Sequence, residues 1–379
     1  MGYRTVTERS LEEIDPADWD RLVHGPGSTP MTHGFLRALE RTGCVGPGTG
    51  WSSAPIVVEH EGAIVGAAAG WFKDHSMGEF VYDWSWAAAA ERLGSGWYPK
   101  LIVASPFTPV TGARLLTGPA TGGEAREAVA SALLGAVEAR AREAGCCGAH
   151  LLFCTEQEAE LARGHGWLVV PQIQHHFLNA GYGTFDDWLA TLRSKRRRNI
   201  RRERRRIAED GWQVRIRRGH EVDEMGRARM HEWYARTVDQ FMWGRRYLNR
   251  AFFDVLIGEL GDRVLVVEAS RDNAPPMAGA LALCDAHGIQ GRYWGSEESV
   301  DLLHFEVCYH ALVEEGIRRG VTVVEFGHGG AQKALRGFTP TATWSAHLVF
   351  DPVMREVLHR HFLAVEEEVR AVVGSGPER

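Results

Sequence analysis

The chain is 379 residues long, 44% apolar and 24% charged, with a formal net charge of −6. That is the composition of an ordinary globular protein with ample core, at a length that suggests two or three domains. The N-terminus lacks a basic start, apolar run and cleavage site, no stretch approaches about eighteen uninterrupted apolar residues, and six scattered cysteines form no Cys-x-x-Cys pair. A cytoplasmic protein with no membrane span and no metal site is expected.

In chain order, the first third reads as strand Ile56 to Glu59, turn Glu61-Gly62, strand Ile64 to Phe72 and a third extended piece, Glu79 to Tyr82. A helix from Trp84 to Leu93 follows, then extended pieces at Lys100 to Ala104 and Ala113 to Thr117, and a helix from Glu124 to Glu143. Strand His150 to Phe153, helix Glu156 to Arg163 and strand Trp167 to Phe177 complete the half. The second half has strand Gln213 to Arg217, helices Glu221 to Asp239 and Leu248 to Leu260, and strands Val264 to Ala269, Gly279 to Cys284 and Ile289 to Trp294. Helix His304 to Arg319, strand Thr322 to Phe326, a short helix near Gln332 to Leu335, strand Thr343 to Phe350 and an amphipathic helix close the chain. Three adjacent strands, a helix, a strand, a helix and a strand thus occur twice, without obvious repetition of sequence. This predicts an α/β protein with mixed sheets in two domains, residues 1–180 and 181–379, with the junction near Asn179 to Tyr182.

Between the halves, Arg193 to Arg206 holds ten basic residues and one glutamate in fourteen positions, so it carries +9 and leaves −15 on the rest. Thr184 caps with Asp187, Asp186 joins it in the first turn, and Gly211 supplies a stop, so a single helix over 184–210 is expected. Phe185, Leu189, Leu192, Ile200 and Ile207 give it one thin apolar side. Arg193, Lys195, Arg196, Arg197, Arg198, Arg201, Arg202, Arg204, Arg205 and Arg206 make the remainder cationic. Arg outnumbers Lys 39 to 4 in the chain, so clustering, not the choice of Arg, is what needs explaining. Like charges on one helix repel, and a polyanion such as nucleic acid relieves them. A solvated or lipid-facing helix and an internal acidic partner are the bland readings.

Several stretches carry a resemblance over most of the chain. They are Lys73 to Phe80, Asp83 and Trp86, Tyr98 to Leu101, Pro106 to Gly112 with Arg114, Phe185 to Trp188, Lys195 to Arg206, Gly291 to Gly295, Leu303 to Glu306 and Arg336-Gly337-Phe338. Together they resemble the FemAB-like predicted N-acyltransferase family, which is similar to the Fem transferases that use aminoacyl-tRNA to build peptide cross-bridges. The resemblance implies two tandem GNAT-like domains and an acyltransferase with tRNA as donor partner. Where relatives read Glu-Pro-Gly-Ala-Gln-Gly-Glu-His-Lys, this chain reads Glu325-Phe326-Gly327-His328-Gly329-Gly330-Ala331-Gln332-Lys333, so its acceptor, or the way it is held, differs.

A GNAT enzyme that uses acyl-CoA carries Arg/Gln-x-x-Gly-x-Gly/Ala at a helix start, where backbone N–H groups cradle the pyrophosphate. That signature is missing here: after Arg292 the third residue is Gly295 but the fifth is Glu297, and Gly118 to Gly123 contains Pro119. Acyl transfer needs support for an oxyanion and a proton for the leaving group. Lys333 and Arg292 are the cationic candidates, Glu306 and Glu325 the carboxylate bases, and His304 the next base. Tyr293 and Trp294 are taken with Arg292 as substrate-binding. Lys73, His75, Glu79, Asp83 and Arg114 form a polar set for the acceptor. The expected function is an aminoacyl-tRNA-dependent aminoacyltransferase, without a bound cofactor, acting on a small-molecule or peptide acceptor at a cleft between halves. Its rivals are an acyl-CoA N-acyltransferase and a non-catalytic RNA- or anionic-lipid-binding protein. About five neutralised phosphates would give a log–log salt slope near −4.

Overall fold

The computed structural model describes residues 3–7, 10–119, 122–242, 244–272, 274–327, 329 and 331–374. Contacts divide the chain into two compact units, Met1–Gln172 with Ala342–Val372, and Ile173–Thr341 with Val373–Arg379.

In the first unit, strands Arg4–Thr7, Ile56–His60 and Ala63–Ala68 make a small antiparallel sheet. Its hairpin turns at Glu61 and Gly62, both in the left-handed region at φ 52° and 82°. The single strand expected over Ile64 to Phe72 is two, Ala63–Ala68 and Gly70–Lys73, and the second belongs to a larger sheet. There Gly70–Lys73 pairs antiparallel with Lys100–Val103, which runs parallel to Gly148–Cys154 after a crossover through helix Gly123–Glu143. Leu133 and Val137 of that helix are buried in one cluster with Leu101, Val103 and Leu151, which holds the crossover on the sheet. The extended piece expected at Glu79 to Tyr82 is a loop in which Phe80 takes φ 61°, and Ala113 to Thr117 contributes one bridge, Leu116 to Ala67.

The second unit repeats the plan. Trp212–Arg218, Val264–Arg271, Ala278–Cys284 and Gly288–Ser296 form an antiparallel ladder with Trp212–Arg218 at its edge. Gly288–Ser296 then runs parallel to Val323–Glu325, in register only from Gly288↔Val323 to Gln290↔Glu325. In the ladder Leu281 faces Tyr293 and Ala282 faces Gly291, so Arg292 is the extra residue of a bulge. A Cβ at Gly295 would lie 2.0 Å from the Trp233 carbonyl oxygen, and glycine there lets helix Glu224–Asp239 lie directly on the strand.

Two expectations need correction. The boundary at 180/181 fails because the last strand of each half is exchanged. Leu168–Leu178 leaves the first unit after Gln172 and pairs Phe177 with Val324 in the second. Thr339–Val349 returns to pair with Gly148–Cys154 in the first, taking most of helix Pro352–Gly374 with it. Nor is the basic segment one helix. Phe185–Thr191 and Ser194–Glu209 are separated by Leu192 and Arg193 in extended conformation, ψ 151° and 141°. The first helix closes itself, with Thr191 Oγ1 donating to the Trp188 carbonyl and Arg197 Nη1 to those of Ala190 and Leu192.

Candidate active site

The basic helix Ser194–Glu209 buries Ile200 and Ile207 and turns its other faces outward. Part of its charge is spent internally. Arg204 Nε donates to both Glu306 oxygens at 3.1 and 3.2 Å, its Nη2 donates to Glu314 at 2.7 Å, and its guanidinium lies 4.5 Å from the centre of the Phe185 ring. Arg201 meets Asp186 at 2.7 Å and Arg206 meets Asp210 at 2.9 Å. Among the described residues Lys195, Arg198, Arg202 and Arg205 make no ion pair, and all four are exposed. Their spacing of i, i+3, i+7 and i+10 puts them on one stripe, opposite Ile200 and Ile207, running about 15 Å along the helix. The first turn of Phe185–Thr191 is a true capping box between Thr184 and Asp187.

Glu306 begins a π turn, Glu306–His310, in which Ala311 N–H reaches back to the Glu306 carbonyl. The turn sets His310 Nδ1 3.1 Å from the Glu306 carboxylate. Burial pushes the Glu306 carboxyl up, but His310 and Arg204 outweigh it and hold it below the usual carboxylate range. An ionised carboxylate gripped by Arg204 and His310 anchors the basic helix and is poorly suited to take a proton. Glu325 is buried in register between Gln290 and His176.

Lys333 is buried in this unit. Its Nζ donates to the Gly327 carbonyl at 2.5 Å, and burial, reinforced by Arg292, pulls its pKa down to about 8. Its charge helps to depress three imidazoles: burial comes first for His175, His176 and His304, and the last two fall to about 4. Arg292 leaves the bulge towards Gly327, where an added Cβ would lie 3.6 Å from its Nη1. Two cations therefore converge where the parallel strands stop pairing, a place fit for an oxyanion or phosphate. The His304 ring stands edge-on to Trp294 and Tyr309, each 5.2 Å away, and with Trp294 borders a recess of about 490 Å³. Tyr293 packs against Tyr234 and Phe253. Of the altered segment, His328 and Gly330 lie outside the described residues, as do Ala120 and Thr121 of the glycine run.

In the first unit, Lys73 and Lys100 face each other across adjacent strands, each 1% exposed. Lys100 Nζ donates to Glu79 at 2.8 Å and to Asp83, which also accepts from Trp97 Nε1 at 2.7 Å. Lys73 Nζ donates to His75 Nδ1 at 2.8 Å and to the Met77 carbonyl at 3.1 Å, and lies 4.2 Å over the Trp51 ring. His75 Nε2 must carry the hydrogen, because its partner 3.0 Å away is the Thr49 carbonyl. Burial lowers Lys73 to about 7 and raises Glu79 to about 7. Asp83 and Lys100 keep their charges because their mutual attraction outweighs burial. Arg114 is fully buried and donates to the carbonyls of Leu152, Gly112, Ala113 and Val110, tying its loop to strand Gly148–Cys154.

The structure thus brings Lys73, His75, Glu79 and Asp83 together, gives Arg114 a tie to the main chain, and gathers Lys333, Arg292 and His304 in the other unit. Sequence reasoning missed Lys100 as a site residue. A signal existed: only four lysines stand against 39 arginines, and three of them, Lys73, Lys100 and Lys333, are buried in these clusters. An amine adjusts its pKa on burial where a guanidinium does not.

Each unit runs an antiparallel ladder into one parallel pair spanned by a helix, the plan of a GNAT-like acyltransferase, here in tandem. The chain belongs to the FemAB-like family, described as peptidoglycan biosynthesis/recognition, whose model matches residues 10–375. It is an acyltransferase of Fem type. FemX is similar in structure with a TM-score of 0.58 at 11% identity, over 95% of this chain and 100% of that one. The C-terminal domain of a putative lysylphosphatidylglycerol synthetase from Agrobacterium fabrum gives 0.57 at 11%, over 96% and 98%. L-PGS from Bacillus licheniformis gives 0.52 at 10%, over 86% and 96%. At these identities the likeness is one of fold. No curated protein matches the chain by sequence. No described helix is long and apolar enough to cross a membrane, and among the described residues no group of three or more His, Cys, Asp or Glu is placed to hold a metal ion.

Proposed function

We propose that this acyltransferase takes its acyl group from aminoacyl-tRNA in the cytoplasm and passes it to an amine or hydroxyl of a small-molecule or peptide acceptor. The observation that carries the reading is the stripe Lys195, Arg198, Arg202 and Arg205, four exposed cations without an ion pair among the described residues, on a helix where Arg201, Arg204 and Arg206 are each paired with a carboxylate. A polynucleotide backbone matches it in charge and length. The acceptor amine attacks the ester carbonyl, Lys333 and Arg292 face the oxygen that becomes negative, and the leaving ribose oxygen takes a proton. With a pKa of about 8, Lys333 can supply that proton and recover one from the attacking nitrogen. The family's description favours an acceptor from peptidoglycan chemistry.

Against coenzyme A stands the turn after Gly288–Ser296, which would hold the pyrophosphate. It carries Glu297, Glu298 and Asp301, all exposed, and carboxylates repel a diphosphate. Incubation of the purified protein with mixed charged tRNAs and candidate amines tests the proposal: one amino acid should leave its tRNA and appear on an amine. If no tRNA is discharged, the donor assignment is wrong.

A further inference from the structure

The arginine run Arg193 to Arg206 holds a single acid, Glu203, which the outward stripe does not explain. Glu203 stands three residues after Ile200 and four before Ile207, so it shares the inward face of helix Ser194–Glu209 with them. There its Oε1 accepts from Arg336 Nη2 at 3.0 Å, and the two side chains are only 15% and 7% exposed. Arg336 follows directly on Ala331–Leu335, the short helix that carries Lys333. Its N–H donates to the Lys333 carbonyl at 3.0 Å, and its Nη1 donates to the Gln332 carbonyl at 3.1 Å and to Gln332 Oε1 at 3.0 Å. Its guanidinium also lies 3.1 Å from the centre of the Phe305 ring, which stands 5.5 Å from that of His304. Gly337, at φ 86°, completes the seat, because a Cβ there would come within 2.7 Å of Leu192 and 3.1 Å of Arg196. One guanidinium thus joins the inward face of the basic helix to the turn of chain that presents Lys333.

Stability does not account for this pair. Glu203 Oε2 and Arg336 Nε are buried without a hydrogen-bond partner among the described residues, and a buried ion pair left with a spare donor and acceptor does not offset the desolvation of its two ions. What such a pair fixes is register. We infer that Glu203 and Arg336 are positioning residues for the transfer, holding Lys333 in register with the helix that grips the donor. Both act through Lys333: Glu203 orients the Arg336 fork, and the fork holds the Gln332 carbonyl and side chain beside it. The inference rests on the donor reading above for what the helix grips, and goes beyond it by naming what aligns that grip with the amine.

The first readout needs no donor. Burial is the main cause that holds the Lys333 amine at about 8, so an amine loosened from its seat titrates higher. The chain has only four lysines, and reaction of the full chain with acetic anhydride across a pH series, mapped by peptide mass spectrometry, gives the midpoint of each. Glu203→Ala should move the Lys333 midpoint up towards the ordinary lysine range. Arg336→Lys should do the same, because a compact ammonium does not span Glu203 and Gln332 as the fork does. Glu203→Gln, which keeps an acceptor for Arg336, should stay near the wild type, with far-UV circular dichroism showing that all three variants fold. The titratable and charged groups around the amine, Arg292, Cys308, His175, His176 and His304, are untouched by these changes. In transfer from charged tRNA, Glu203→Ala should lower kcat by about 100-fold, the scale of a misplacement of roughly 1 Å. KM for the donor and the salt slope of tRNA binding should not change, and Glu203→Gln should keep most of the rate. A Lys333 midpoint that stays at about 8 in Glu203→Ala would overturn the inference whatever the donor proves to be. A raised KM with no loss of kcat would make the pair a donor contact and overturn it too, as would a wild-type rate in a variant whose midpoint has moved. If the midpoint moves and no tRNA is discharged, the pair still seats Lys333 and the donor reading alone falls.

Discussion

Two buried lysine sites, one in each unit, are built on opposite principles. Around Lys100 the charge closes on itself: the amine meets Glu79 and Asp83, all three at most 5% exposed, while Lys73 beside it bonds His75 and the Met77 carbonyl. Around Lys333 the amine meets a carbonyl, that of Gly327, and a second cation, Arg292. In the first arrangement the Lys100 charge is compensated from within, which ties the loop holding Glu79 and Asp83 to strand Lys100–Val103. The second brings two cations together beside one carbonyl, a setting that favours an arriving anion.

The largest effect should follow from breaking the closed site. Lys100→Met leaves Asp83 and Glu79 buried without their cation and should cost about 3–5 kcal/mol in urea unfolding. A cost near zero would mean that the closed cluster contributes nothing. Lys333→Met should instead leave the urea midpoint nearly unchanged and lower kcat/KM by about 100-fold, the scale of losing one oxyanion donor. Because Lys333 loses its charge as pH rises through about 8, activity should fall above that pH. Lys333→Arg should restore part of the rate and move the alkaline limb upward. A limb that stays near 8 in the arginine variant would separate Lys333 from the chemistry.

The smallest effect concerns the depressed histidines. Burial holds His176 and His304 at about 4 and His347 at about 3, so the folded chain keeps them neutral while the unfolded chain protonates near 6.5. Stability is therefore fully present above about pH 6.5 and is lost as pH falls towards 4. His176→Gln should make that acid limb shallower; a steeper limb would contradict the assignment.

Local physics was legible in the sequence and long-range pairing was not. The Thr184–Asp187 capping box, the Glu61-Gly62 turn and the alternation of strands and helices follow from residues within a few positions of each other. The exchange of Leu168–Leu178 and Thr339–Val349 between units leaves no local mark, because either strand reads the same in either sheet. Leu192 and Arg193 interrupt a strongly helical run without proline or glycine; the reason lies in carbonyls capped by Arg197, which no periodicity reveals. Likewise the partner of Asp83, Lys100, is known only once strands Gly70–Lys73 and Lys100–Val103 are paired.

The central claim is that Lys195, Arg198, Arg202 and Arg205 face a polynucleotide while Arg204 faces inward. Binding of deacylated tRNA against salt concentration measures it directly: four contacts predict a log–log slope between about −2.8 and −3.6. Replacing the four by glutamine should flatten that slope towards zero, whereas Arg204→Gln should lower stability and leave the slope alone. A slope unchanged by loss of the stripe would contradict the account.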